Sequence, residues 1–336
     1  MSAPLKIGVV GLGHLGQHHA RIYRQLAGVE YVGSFDTDPT KSRFPTLEAL
    51  AGAADAVSVA TPTESHHAVA RLFLERGKHV LIEKPIARNL AEAEELVALA
   101  RRYGCVLQVG HVERFNPVMR YLSEMLTEAR FIEVHRLSPY PARSTDIGVV
   151  LDLMIHDLDI VLALVQSPLI AVDAVGIAVL SDSEDIANAR LKFANGCVAN
   201  ITASRVSADR MRKLRIFGKT KTGAAYISLD YLRQEGQVYR VASDDTRESS
   251  LLKKLLAGKG ATIVSEFAGK KIVREPVPIE REEPLKLELQ SFVEAIRLRR
   301  QPVVTGEAAK QALEVAMEIT ALCRKTGSSQ KIGRFV

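Results

Sequence analysis

The sequence predicts two domains. The first is an α/β domain on a doubly wound parallel sheet, and the second is an α+β domain on a mostly antiparallel sheet. Three observations carry this reading. Short apolar runs alternate with amphipathic helical patterns over residues 1–117. A glycine turn, Gly11-Leu12-Gly13-His14-Leu15-Gly16, joins the first apolar run to the first helical pattern. Beyond residue 117 the rhythm changes to successive alternating runs divided by turn residues. Strands alternating with helices argue for a parallel sheet covered on both faces, and consecutive punctuated strands argue for antiparallel pairing.

The apolar run 5–10 leads through the glycines into a helical pattern over 14–26. A strand follows at 29–35, then a strand at 55–60 and a helix at 64–76. The series closes with a strand at 79–82, a helix at 90–103 and a strand at 105–109. In the second half, 130–137 reads as a strand and 149–165 as a helix. Strand patterns recur at 187–193, 198–204, 213–217 and 224–229. Asn195-Gly196 between two of them is a strong hairpin signal. Residues 242–283 are charged and weakly periodic, so no element is assigned there. Helices over 283–299 and 307–325 end the chain, and the second domain spans 118–336.

The chain has 336 residues, 47% hydrophobic and 25% charged, the ordinary globular balance. No apolar run reaches the roughly 20 residues of a membrane span, and no signal-type segment opens the chain. A cytoplasmic location is expected. Cys105, Cys197 and Cys323 are scattered in apolar surroundings and read as buried, inert thiols. The net charge of +6 is spread out. Its densest run, Arg210–Arg215, lacks interleaved aromatics and reads as a solvated strand surface, so nucleic acid is not the expected partner. A mild positive field suits a small anionic ligand such as a nucleotide or phosphorylated sugar.

The glycine turn has the context that a dinucleotide site requires: a strand before it and a helix after it. Gly11, Gly13 and Gly16 permit a tight turn and close approach of a pyrophosphate to the helix start, beside His14 and Leu15. Asp36 ends the second strand, where a carboxylate accepts hydrogen bonds from the adenosine ribose. Thr37-Asp38-Pro39 offers no arginine for a 2′-phosphate, which favours NAD over NADP. Thr61-Pro62 and Glu83-Lys84-Pro85 end later strands, so their loops line the same crevice. Lys84 can polarise a substrate oxygen there, or it can be a solvated turn lysine.

VLDLMIHDLD, residues 150–159, is an apolar helical run that nonetheless carries Asp152, His156 and Asp159 on one stripe. A carboxylate one turn from an imidazole suits a general base. A wet helix face is the plainer alternative, and metal ligation has no second histidine in this half to support it. Arg114 and Asn116, in HVERFNP, suit a polar or anionic ligand. Asn116 equally suits a helix cap ahead of Pro117.

Taken together, GLGHLG, ATPTESHHAVA, GKHVLIEKPIA, GHVERFNP and LDLMIHDLD occur in the order that resembles the glucose–fructose oxidoreductase/inositol dehydrogenase/MocA family. The resemblance covers essentially the whole chain. It implies a Rossmann domain followed by an open-faced sheet with helices on one face, assembled into dimers or tetramers through that sheet. The family's active-site lysine falls on Lys84, and its Asp and His fall on Asp152 and His156. The histidine of its TPxxxH loop falls on His66. A sugar or cyclitol C–H would give hydride to the nicotinamide while the histidine takes the hydroxyl proton. HVERFNP with IHDLDIVL is most similar to members that oxidise the 3-hydroxyl of UDP-N-acetylglucosamine for amino-linked lipid A. Inositol, a free sugar or a sugar phosphate is the alternative substrate. A catalytically silent, dinucleotide-sensing regulator is the alternative of another class. No metal is expected.

Overall fold

The structure, a computed structural model, describes residues 3–140, 147–243, 260–267 and 270–327. It divides into two units, Met1–Phe115 with Glu282–Val315, and Asn116–Arg281 with Ala316–Val336.

The first unit is built on a parallel sheet of β1 (Leu5–Val10), β2 (Val29–Phe35), β3 (Ala56–Val59), β4 (His79–Glu83) and β5 (Leu107–Gly110), in the order β2-β1-β3-β4-β5. Helices α1 (His14–Tyr23), α2 (Leu47–Ala53), α3 (Thr63–Glu75) and α4 (Leu90–Arg102) belong to the same unit. The strand order reverses between β1 and β3, so a ligand crevice lies at the carboxyl ends of those two strands. Helix α2 was not anticipated from the sequence. It is short, and Thr46 caps it by accepting from the Ala49 N–H at 3.1 Å.

Alternate residues of the strands face one apolar layer. Ile7, Val9, Ala56 and Leu81 meet Ala20, Ile22 and Tyr23 of α1. The same layer takes Leu289, Phe292, Val293 and Ile296 of α7 (Pro284–Arg297). This corrects the boundary expected from the sequence, which gave everything after residue 117 to the second domain. The spacing i, i+3, i+4, i+7 on α7 makes a stripe that fits the sheet face beside α1, so the chain returns to its first unit.

The second unit holds α5 (Pro117–Met125), β6 (Leu126–Leu137), α6 (Ile155–Val165) and eight further strands. These are β7 (Leu169–Ile177), β8 (Ile186–Phe193), β9 (Val198–Ser204), β10 (Met211–Thr220), β11 (Gly223–Asp230), β12 (Glu235–Ser243), β13 (Thr262–Phe267) and β14 (Lys270–Pro276). Their order is β13-β14-β12-β11-β10-β6-β9-β8-β7, antiparallel except for β6 with β9. Ile132, Val134, Leu191, Ile201, Leu214 and Ile216 alternate onto the buried face. Arg212 is exposed while Leu214 is buried, as expected of a solvated strand surface. Strands β13 and β14 occupy part of the stretch that the sequence left unassigned. Within β14 only Val273 is buried, so an edge hairpin of this kind shows no clean alternation. The last helix, α8 (Gly306–Gly327), is divided between the units.

Cys197 and Cys323 are buried, and burial pushes both thiols up to about 11. Cys105 is only half-buried, because it lies in the turn ahead of β5 rather than within the strand expected from 105.

Candidate active site

The glycine turn is shaped by contacts that only glycine permits. Gly11 has φ +85°, and a Cβ there would stand 2.8 Å from the Ala60 carbonyl oxygen. A Cβ on Gly16 would stand 1.8 Å from the Gly11 carbonyl oxygen. A Cβ on Gly13 would meet nothing within 4 Å. A side chain at Gly13 would therefore stand in the open space at the mouth of the turn. It is also the N-cap of α1 and supplies no side-chain cap, so the first-turn N–H groups are available to an anion. Gly13, His14 and Leu15 are exposed at this point. Asp36 is tied to the turn: Leu12 N–H donates to its Oδ2 at 2.5 Å and Asp38 N–H to its Oδ1 at 2.9 Å. An open cradle, a bare helix start and an adjoining carboxylate fit a dinucleotide.

Two loops flank this crevice. Thr61 is half-buried and Pro62 exposed after β3, and Lys84 is half-buried after β4. His66 joins the loops from beneath. Its Nδ1 lies 2.8 Å from the Pro85 carbonyl and its Nε2 2.9 Å from the Thr61 carbonyl. The ring is 1% exposed, and burial pushes its pKa below the ordinary value. The sequence reading counted His66 and Glu83 among the cofactor-binding residues. The structure turns both inward. His66 braces the loops, and Glu83 reaches down to His19, with Oε1 3.0 Å from Nε2.

In the second unit, residues 150–159 form a helix with an irregular start. Val150–Met154 is a π-helical turn that runs into α6. Such turns recur at functional sites. Asp152 and His156 are half-buried there, whereas Asp159 is buried. The stripe expected through all three residues assumed a regular register of 3.6 residues per turn. The π turn breaks that register. Glu184 holds the start of the helix. Its carbonyl accepts from Val149 N–H at 2.8 Å and its Oε1 from Val150 N–H at 3.4 Å.

Asp157, next to His156, points into the core and takes a two-pronged bond from Arg136 of β6, at 2.7 and 2.8 Å. A second buried pair, Arg205 with Asp185 at 2.8 Å, ties the bend that follows β9 to the loop before β8. There the Arg205 guanidinium also reaches the Ile147 carbonyl. Sequence reasoning missed both pairs. The available signal was strand parity: Arg136 continues the inward series Ile132, Val134.

Arg114 is half-buried and donates to the Val303 carbonyl at 3.3 Å. Asn116 is 3% exposed, and its amide serves the fold. It caps α5 through Val118 N–H and donates to the Tyr231 carbonyl at 3.1 Å. The capping alternative therefore describes Asn116 better than the ligand-binding one.

A dinucleotide cradle on a doubly wound sheet, followed by a large, mostly antiparallel sheet domain, defines the class: a two-domain nicotinamide-dependent oxidoreductase. Residues 5–111 match the oxidoreductase family model with an NAD-binding Rossmann fold, and residues 123–222 match the GFO/IDH/MocA C-terminal domain. The chain belongs to the Gfo/Idh/MocA oxidoreductase family.

A relative from Acidithiobacillus ferrooxidans, UDP-N-acetylglucosamine 3-dehydrogenase, is 35% identical over 324 residues, 94% of this chain and 96% of its own. A solved structure of that enzyme superposes with a TM-score of 0.83 at 32% identity, covering 97% of this chain and 99% of the other. The NAD(+)-dependent scyllo-inositol 2-dehydrogenase of Bacillus subtilis is 24% identical, over 95% of this chain and 94% of its own.

Proposed function

We propose that this enzyme uses NAD to oxidise the 3-hydroxyl of UDP-N-acetylglucosamine. The observation that carries this reading is the 35% identity with a 3-dehydrogenase of that substrate over nearly the full length of both chains. Lys84, Asp152 and His156 are the groups assigned to the chemistry. Bound NAD would supply the hydride acceptor for the carbon that bears the hydroxyl. His156 takes the hydroxyl proton on its imidazole, and Asp152 orients that ring. Lys84 places a cation near the oxygen as negative charge develops on it. Arg114 contributes positive charge towards an anionic substrate. Asp36 accepts from the ribose hydroxyls and disfavours a 2′-phosphate, which supports NAD over NADP.

The exposed face of the second sheet supports assembly of two or four copies through it. Phe131 meets Phe217 edge-on, and Phe217, Tyr226 and Tyr239 stack in turn, across four neighbouring strands with centroid separations of 6.1, 4.6 and 5.1 Å. Phe217 is 45% exposed and Val241 61%. A cytoplasmic location fits the supply of NAD and a nucleotide sugar. Among the described residues no helix is long and apolar enough to cross a membrane.

Lys84→Ala and His156→Ala test the assignment. Each is expected to lower kcat by about 10²–10⁴-fold while NAD binding, followed by calorimetry, stays close to wild type. Near-normal turnover in both variants would refute it. NAD binding by the wild type with no turnover on any sugar would favour a dinucleotide-sensing regulator instead.

A further inference from the structure

The apolar layer of the first unit changes character at the carboxyl edge of the sheet. Beyond Ala56 and Leu81, the next inward positions on β3 and β4 are Ser58 and Glu83, and Gln108 joins them from β5. Helix α1 lays His19 and Tyr23 over this edge, and α7 adds Glu288. His19 lies 3.0 Å from Glu83, the Tyr23 hydroxyl 2.6 Å from Ser58 Oγ, and Gln108 Nε2 donates to the Glu288 carbonyl at 3.0 Å. All six residues are buried.

Glu288 is the anomaly. It is 0% exposed, and neither carboxyl oxygen has a hydrogen-bond partner among the described residues. Ligand atoms of His19, Glu83 and Glu288 lie within 4.8 Å of one another. An ionised carboxylate with no donor is not sustained in a dry interior, and two carboxyls this close do not both ionise. Burial first, and the Glu83 carboxylate second, raise the Glu288 pKa well above the usual range. Burial likewise pushes the Tyr23 phenol up, so it adds no anion. The remaining groups at the edge, Ser58 and Gln108, are neutral.

We propose that Glu288 is a neutral acid at pH 7 that leaves Glu83 as the only anion of the cluster, and that Glu288, Glu83 and His19 together are positioning residues for Lys84. This rests on the assignment of Lys84 to the chemistry. Glu83 is the last residue of β4, and Lys84 follows on the next bond. A Glu83 side chain anchored inward on His19 fixes the strand end from which Lys84 emerges. A second anion at Glu288 would push Glu83 off this anchor.

Infrared spectroscopy of the full-length protein reads the protonation directly. The wild type should show a protonated-carboxyl band at neutral pH that is missing from Glu288→Gln. Absence of that band from the wild type would overturn the proposal. So would stoichiometric zinc in the purified protein that Glu288→Gln loses, because a cation would hold Glu288 ionised. The kinetic arm uses the cluster variants. Glu288→Ala should lower kcat, and Glu288→Gln, which keeps the neutral planar group, should restore most of it. Glu83→Gln should lower kcat roughly tenfold with KM for NAD unchanged. An unchanged kcat in Glu83→Gln, or a KM for NAD that rises in step with the loss of kcat, would overturn the positioning role. Should Lys84→Ala keep full activity, the assignment of Lys84 fails on its own, and the infrared band still decides the state of Glu288.

Discussion

Asp157→Asn isolates the buried pair that holds the helix carrying His156. The Asp157 side chain is 1% exposed and that of Arg136 4%, so solvent does not screen the contact. Two charge-assisted bonds, at 2.7 and 2.8 Å, join them. The substitution removes the negative charge facing a buried guanidinium. Breaking such a pair on one side costs about 3–5 kcal/mol, most of it the desolvation of the surviving charge. That corresponds to a fall in melting temperature of roughly 10 °C. Arg136→Met combined with Asp157→Leu removes both charges and should recover most of the loss, because an apolar pair of similar volume is about neutral. The chain has no tryptophan, so circular dichroism and tyrosine fluorescence in guanidinium are the suitable assays. The double-mutant cycle should return a coupling of about 3 kcal/mol or more. A loss below about 1 kcal/mol for Asp157→Asn, or a double variant no more stable than the single, would refute the reasoning.

Two further expectations follow from the same kind of geometry. Gly13→Ala should leave the melting temperature of the free protein nearly unchanged, since its Cβ meets nothing within 4 Å, while NAD binding weakens at least tenfold. Gly16→Ala should lower both, because its Cβ would press on the Gly11 carbonyl at 1.8 Å, and calorimetry with thermal melts separates the two outcomes. For Asp185, burial alone would raise the carboxyl. The Arg205 bond, the N–H groups of Leu180 and Val179 and the Ser181 hydroxyl outweigh it and hold the group at about 2. A folded pKa below the unfolded one gives stability that is present above the unfolded value near 4 and lost as pH falls towards 2, on the order of 2 kcal/mol in all. Asp185→Asn should show a flatter decline across that acid window in equilibrium unfolding.

The dinucleotide half was legible because its signals are local. A glycine turn, a strand-end aspartate and alternating periodicities each span only a few residues, and the doubly wound parallel sheet followed from them. The return of α7 to the first sheet was not legible. Its apolar stripe says that the helix packs somewhere, but not on which of two sheets. Among the candidate residues, Lys84, Asp152 and His156 stood out as polar groups in apolar runs or at a strand end. Their supports did not. Arg136 and Asp157 are 21 positions apart and pair only through the fold. Glu288 reads as one more charged residue on an amphipathic helix until its burial is seen. Asn116 and His66 show the converse. Both sit in strings that resemble ligand loops, and the structure engages both with backbone groups.

The most direct test of the central claim is the appearance of reduced nicotinamide, followed by absorbance, with purified protein and a matrix of NAD and NADP against UDP-N-acetylglucosamine, other UDP-sugars, inositol, glucose and sugar phosphates. A signal is expected with UDP-N-acetylglucosamine and NAD, and it should be lost in Lys84→Ala and in His156→Ala. A signal confined to an uncharged sugar or to inositol would contradict the substrate assignment. Turnover undiminished in both variants would contradict the mechanism.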